Sequence, residues 1–209
     1  MAFDGFLVNR LAHELNDQLA GRRIDKVFQP ETDEIQLSIR GVKGLRLLAT
    51  INGNFPRIHM TSHVKPNPVQ PPMFCMLLRK LLGGARIESI EQVGFDRIIR
   101  INCVRKTELY DHEELSLIIE MMGKHSNCIL LDSEGRIIEV MKRVSGDMSS
   151  VRQLLPNLMY VLPPNSKRSP LDLDQAEEFS AIRPDEPSRS YFRMVSGTSY
   201  DIADEFEWR

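Results

Sequence analysis

The 209-residue sequence predicts an α+β fold, an antiparallel β-sandwich with flanking helices, from three observations. Short apolar segments alternate with polar residues at a period of two and are separated by Gly, Asn, Asp and Pro turns. Two segments in the first half carry helical patterning instead. Hydrophobic residues make up 42% and charged residues 27%, the balance of a chain that buries a core.

The elements follow in order. Residues 4–19 (DGFLVNRLAHELNDQL) read as an amphipathic helix, with Leu7, Leu11, Leu15 and Leu19 recurring every four positions, Phe3 extending the stripe and Gly21 closing it. RRIDKVFQP gives a short strand ended by Pro30. In EIQLSIR, Ile35, Leu37 and Ile39 face one way while Glu34, Gln36, Ser38 and Arg40 face the other. Gly41–Gly44 turns the chain into LRLLATI, and Asn52-Gly53-Asn54 turns it into PRIHM. A crossing loop with Pro66, Pro68, Pro71 and Pro72 leads into MFCMLLRKLL, a helix apolar on nearly every side except Arg79 and Lys80, which implies deep burial. ARIESIEQV, RIIRINCV and LSLIIEM read as strands, and NCILL and RIIEVM flank a hairpin turn at Asp132–Gly135. After Pro163-Pro164 the pattern changes. SPLDLDQAEEF reads as a capped helix start, and a second helix is expected near 191–195.

The formal charge of -2 averages over two regions. Residues 1–165 hold 21 Lys and Arg against 19 Asp and Glu, whereas residues 166–209 hold 6 against 10. Within 79–106 there are seven cations and three anions. This is either an ordinary solvated surface or a positive face suited to a phosphate backbone. No apolar run reaches the roughly 20 residues that cross a bilayer, and MAFDGF is no leader peptide, so no membrane association is expected.

Few residues suggest catalysis. His59 and His63 form H-x-x-x-H on a strand and then a loop, with no third ligand in sight, so no metal is expected. Nucleophile-elbow and phosphate-loop motifs are absent, Cys75 reads as a core thiol, and no cofactor is implied. Asp111, His112, Glu113 and Glu114 read as a charged loop. Two segments are more informative. In GFDRIIRI, Asp96 and Arg97 stand at a strand entry, where Arg97 suits a phosphate and Asp96 suits a loop hydrogen bond or a base edge. A turn-stabilising Asp and a surface Arg is the plainer reading. In EMMGKHSNCILL, Gly123 permits a tight turn and Lys124, His125, Ser126 and Asn127 present donors in a row, fit for phosphate or for a polar β-turn.

Taken together, MAFDGFLVNRLAHELN, NFPRIHM, PPMFCMLLRKLL, GFDRIIRI, EMMGKHSNCILLD and RQLLPNLMYVLPP resemble the N-terminal region of the NFACT family, the fibronectin-binding protein A-like proteins. The resemblance covers residues 1–165 and implies a fold like the N-terminal domain of formamidopyrimidine-type DNA glycosylases. Residues 166–209 would then be the truncated start of a helical, helix-two-turn-helix-like domain. It also implies a cytoplasmic role in bacterial ribosome quality control. The full-length protein would bind a 50S subunit carrying peptidyl-tRNA and recruit alanyl-tRNA for untemplated alanine tailing. The domain would contact tRNA through the Asp-Arg pair matching Asp96 and Arg97. Peptide transfer would belong to the ribosome, so no enzyme is expected. Met1-Ala2-Phe3 lacks the proline nucleophile and glutamate of the glycosylases. On the residues themselves, Arg97, Arg100 and Lys124 are expected on phosphates, Arg79 and Lys80 as secondary contacts, and His125 and Asn127 at sugar or base edges. The alternative is a surface adhesion module that binds fibronectin.

Overall fold

The computed structural model describes residues 3–107, 111–170, 185 and 187–208. Two antiparallel sheets form the body, each a meander of sequence neighbours. The first holds β1 (Ile24–Glu31), β2 (Glu34–Ile39), β3 (Arg46–Thr50) and β4 (Arg57–Thr61). The second holds β5 (Arg86–Gln92), β6 (Ile98–Lys106), β7 (His112–Glu120), β8 (Asn127–Leu131) and β9 (Ile137–Val140). Backbone bonds join the sheets at one corner, where Gly21 and Ile24 donate to Ile87 and Ala85, and Ile87 donates back to Arg22. Residues from both sheets, including Ile35, Leu37, Leu47, Ile101, Leu117 and Leu130, enter one apolar core, so the α+β expectation with two antiparallel sheets is met.

Helix α1 (Gly5–Leu19) begins at Asp4, whose carboxylate accepts from the Leu7 amide at 2.9 Å. Its buried stripe is Gly5, Val8, Ala12, Leu15 and Leu19 rather than the Leu7–Leu11 row. Four residues advance a helix by more than a full turn, so a strict four-residue row drifts off the core face that the 3–4 spacing holds. Helix α2 (Met73–Leu82) buries Phe74, Cys75, Leu78, Leu81 and Leu82, but Met73 and Met76 are exposed, so it is buried on one side and not all round. β1 runs through Pro30 to Glu31, which an edge strand tolerates because its outer amides need no partner. His112, Glu113 and Glu114 belong to β7 rather than to a loop, and Glu113 pairs with Arg105 on β6.

The polar face of β2 is not open to water. Glu34 and Gln36 are buried beneath Lys65, which bridges Glu31 and Glu34 at 2.6 and 2.8 Å, and Arg46, whose guanidinium lies 4.0 Å from the Phe28 ring centroid. The three cysteines are core thiols. Burial pushes Cys103 up to about 12 and raises Cys75 and Cys128 likewise.

A second, smaller core covers part of the outer face of the five-stranded sheet. Ile98, Ile118, Ile129, Leu131, Ile137 and Val140 pack there with Leu154 from the long segment after β9. That segment is tied down by a buried triad. Glu120, fully buried, accepts from both terminal nitrogens of Arg152 and from the Tyr160 hydroxyl, each at 2.7 Å. Beyond it lie α3 (Pro187–Met194) and α4 (Tyr200–Trp208), stacked through Phe192 and Tyr200. The helix read at SPLDLDQAEEF falls mostly outside the described residues. Among the described residues, no helix is long and apolar enough to cross a membrane.

Candidate nucleic-acid interface

Asp96 and Arg97 sit on the tight connection between β5 and β6. Gly94 and Phe95 both take positive φ, 61° and 50°, a conformation that costs Phe95 energy and is held by its surroundings. The Phe95 ring meets Phe6 of α1 edge-on with centroids 5.0 Å apart. Gln92 donates to the Gly5 and Asp96 carbonyls at 2.7 and 2.8 Å. One oxygen of Asp96 accepts from the Arg97 amide at 2.7 Å, and the other accepts from Asn165 at 3.1 Å. Asp96 therefore fixes its own turn and reaches the segment after the sandwich, and the Arg97 side chain is left to project.

That segment closes against α1. Asn165 also donates to the Ser196 hydroxyl at 2.7 Å, and the Gly5 amide donates to the Gly197 carbonyl at 2.7 Å. A cleft of about 520 Å³ opens along this seam, lined by Asp4, Asp96, Arg97, Lys167 and Tyr200 among others. Lys167 lies 4.0 Å from the Phe192 ring centroid, and its amine is pushed down by burial and by the Arg97 charge, against the pull of Asp96.

A second cleft of about 580 Å³ shares Arg97, Met122, Pro163 and Pro164 with the first. Its basic side is the Gly123–His125 turn, and its apolar side is Val144, Met148, Val151 and Leu154. Gly123 has φ 57°. The Ser126 hydroxyl accepts from the Met122 amide at 2.9 Å and donates to the Gly123 carbonyl at 2.7 Å, which pins the turn. Lys142, Arg143 and Arg152 also line this cleft, but they bond to the Ile51 carbonyl, Glu139 and Glu120 respectively. Among the described residues, the side chains of Arg97 and Lys124 have no hydrogen-bond or ion-pair partner.

The structure thus brings together Asp96, Arg97, Lys124, His125 and Asn127 at two adjoining clefts. Asn127 is 1% exposed, and its carboxamide bonds the Lys142 carbonyl and the amides of Cys128 and Lys142, so its polar atoms are spent inside the fold. Arg100, Arg79 and Lys80 line neither cleft. Arg100 lies on β6, 3.9 Å from Glu91, and Arg79 donates to the Val27 carbonyl from the end of α2. Sequence reasoning missed Asp4, Asn165 and Lys167. A cap residue ahead of α1 was the one available sign for Asp4, and nothing local marks the other two. Among the described residues, no group of three His, Cys, Asp or Glu side chains is placed to hold a metal.

The family model for NFACT N-terminal and middle domains matches residues 4–209. A Streptococcus pneumoniae protein named Rqc2 homolog RqcH is 40% identical over 211 residues, covering 99% of this chain and 38% of the relative. Its Bacillus subtilis namesake is 42% identical over 84% of this chain and 31% of the relative. More distantly, the Saccharomyces cerevisiae ribosome quality control complex subunit 2 is 27% identical over 69% of this chain and 13% of its own. The crystal structure of the N-terminal domain of fibronectin-binding protein PavA from S. pneumoniae superposes with a TM-score of 0.90 at 40% identity, covering 99% of this chain and 79% of that one. The chain therefore spans under two fifths of the length of these curated relatives.

Proposed function

The chain belongs to the NFACT family, and from that premise we propose that it is the RNA-binding N-terminal part of a ribosome quality control factor. In this reading the domain contacts tRNA, and the full-length protein engages a 50S subunit carrying peptidyl-tRNA in the cytoplasm. There it recruits alanyl-tRNA for untemplated alanine tailing of the stalled chain. The domain acts by binding, and peptide transfer is left to the ribosome. The observation that carries the proposal is the pair of unpartnered cations, Arg97 lining both clefts and Lys124 lining the second, on a chain whose other cleft-lining arginines are neutralised. Phosphate is the ligand that such spare, rigidly mounted cations suit best. Arg100, Arg79 and Lys80 lie outside the clefts and would add long-range attraction. His125 would reach the sugar or base edges, and Asn127 would hold the turn that presents its neighbours.

The test is binding of purified tRNA to the 209-residue chain across a salt series. Arg97→Ala and Lys124→Ala should each weaken binding and lower the slope of log affinity against log salt by about one. Unchanged slopes in both variants overturn the assignment of these cations.

A second reading is supported by the PavA likeness, whose name is that of a fibronectin-binding protein. Immobilised fibronectin separates the two. Saturable retention that Arg97→Ala and Lys124→Ala leave intact, with no tRNA binding, favours adhesion.

A further inference from the structure

Phe55 is an aromatic side chain that the fold displays rather than buries. It is 71% exposed on the turn between β3 and β4, and among the described residues its ring has no aromatic or cationic partner. Among the described residues, the other strongly exposed aromatic, Tyr200, is stacked on Phe192 at 3.9 Å. An exposed Phe on a slack loop folds back onto apolar surface, but the backbone of this turn is held in place. The Asn52 carboxamide accepts from the Asn54 and Phe55 amides at 3.1 and 3.3 Å and is itself anchored on Asp33 at 2.9 Å. Arg57 donates to the Phe55 carbonyl at 3.0 Å, and Lys142 reaches across to the Ile51 carbonyl at 3.0 Å.

The same turn abuts the Gly123–His125 turn. A Cβ on Gly53 would lie 3.5 Å from the Lys124 Cα, and one on Gly123 would lie 3.6 Å from the Gly53 carbonyl oxygen. Phe55 follows Gly53 by two residues, a reach of no more than about 7 Å. The turn that carries Phe55 therefore adjoins the turn that carries the unpartnered Lys124 and the exposed His125.

We propose that Phe55 is a stacking platform for an unpaired base of the bound RNA, next to the nucleotide whose phosphate Lys124 holds. A flat apolar ring on a turn that adjoins a free cation suits single-stranded nucleotides, because every unpaired base exposes a π-face, whereas paired bases are stacked on their neighbours within the duplex. The inference rests on the RNA-binding reading above and sharpens it: the RNA element at this end of the surface is a loop or a single strand, not a duplex.

The experiment compares an RNA hairpin with an unpaired loop against a blunt duplex of equal length, on the 209-residue chain. Phe55→Ala should weaken hairpin binding about tenfold, leave duplex binding unchanged and keep the salt slope of the wild type. Phe55→Trp should restore or tighten hairpin binding, whereas Lys124→Ala should weaken both probes and lower the slope. Equal hairpin affinity for wild type and Phe55→Ala overturns the stacking and leaves the RNA reading standing, as does an equal loss on both probes. Failure of the unsubstituted chain to bind either probe overturns both.

Discussion

Asp4 and Ser199, 195 residues apart, share a hydrogen bond of 3.0 Å in which the serine hydroxyl donates to the carboxylate. The other carboxylate oxygen caps α1 through the Leu7 amide, and Ser199 itself accepts from the Ile202 amide at the start of α4. One carboxylate thus begins the first helix and latches the last described one. The seam beside Asp96 and Arg97 inherits its shape from that latch, because Gly5 and Gly197 approach each other between the two ends. Asp4→Ala removes a cap and a latch together and should cost about 1–2 kcal/mol, read as a fall in Tm of roughly 2–8 °C.

Gly197→Ala should loosen the seam more directly. Its φ is 71°, and an added Cβ would stand 2.5 Å from the Phe95 carbonyl oxygen and 2.8 Å from the Gly5 Cα, both backbone atoms that cannot swing aside. A destabilisation of about 2 kcal/mol is expected, or roughly 4–8 °C in Tm for a chain of this size. Limited proteolysis should show faster cleavage between the sandwich and α4 in this variant. A thermal midpoint equal to the wild type would show that the two backbones separate without cost.

Arg152→Ala should be among the most damaging single changes. It strands Glu120, which is fully buried and whose remaining partner is the Tyr160 hydroxyl. Breaking such a pair costs about 3–5 kcal/mol, whereas replacing both charges together is far milder. Urea unfolding of Arg152→Ala, Arg152→Met and the double variant Glu120→Gln with Arg152→Met measures the difference. The double variant should recover most of the loss. A double variant as unstable as the single ones would mean that the ion pair contributes more than its own desolvation cost.

What was legible in the sequence follows from how local each cause is. Strand periodicity and the Asp132–Gly135 turn each depend on neighbours a few residues away, and the structure has them. The burial of the polar face of β2 has no local sign, because Glu34 and Gln36 owe it to Lys65, Arg46 and Phe28, which reach them from other strands and a loop. The converse holds at α2, where Met73 and Met76 look like core in composition but lie on a face that no other described element covers. Asp96 and Arg97 stood out by their place at a strand entry. Their coupling to Asn165 and Lys167 depends on a return of the chain some seventy residues later, which no local pattern encodes.

Stability should fall as the solution is acidified below about pH 6.5, with His59 contributing to the fall. Burial and, next, the Arg57 charge lower the His59 pKa from 6.5, outweighing the pull of Glu34. The unfolded chain then binds a proton that the folded chain resists, so this contribution is whole above pH 6.5 and is lost as pH falls through the lowered value. His59→Gln should flatten the urea midpoint between about pH 7 and about pH 5 relative to the wild type. An identical pH profile in the variant would assign the acid sensitivity elsewhere.

Asp96→Ala and Arg97→Ala should fail in different ways, although the residues are adjacent. Asp96 spends both carboxylate oxygens on the Arg97 amide and on Asn165, so its loss frees the turn and the seam at once. A stability loss of about 1–3 kcal/mol is expected, with tRNA binding weakened because Arg97 is no longer aimed. Arg97 has no described side-chain partner, so its removal should leave Tm within about 1–2 °C while lowering tRNA affinity and salt dependence. It should also relieve Lys167 of a like charge, raising that amine's pKa, since burial and Arg97 are what depress it. Chemical-shift titration of a Lys167 Nζ label reads this directly. If Arg97→Ala leaves the Lys167 titration where it was, the two cations do not share the cleft as described.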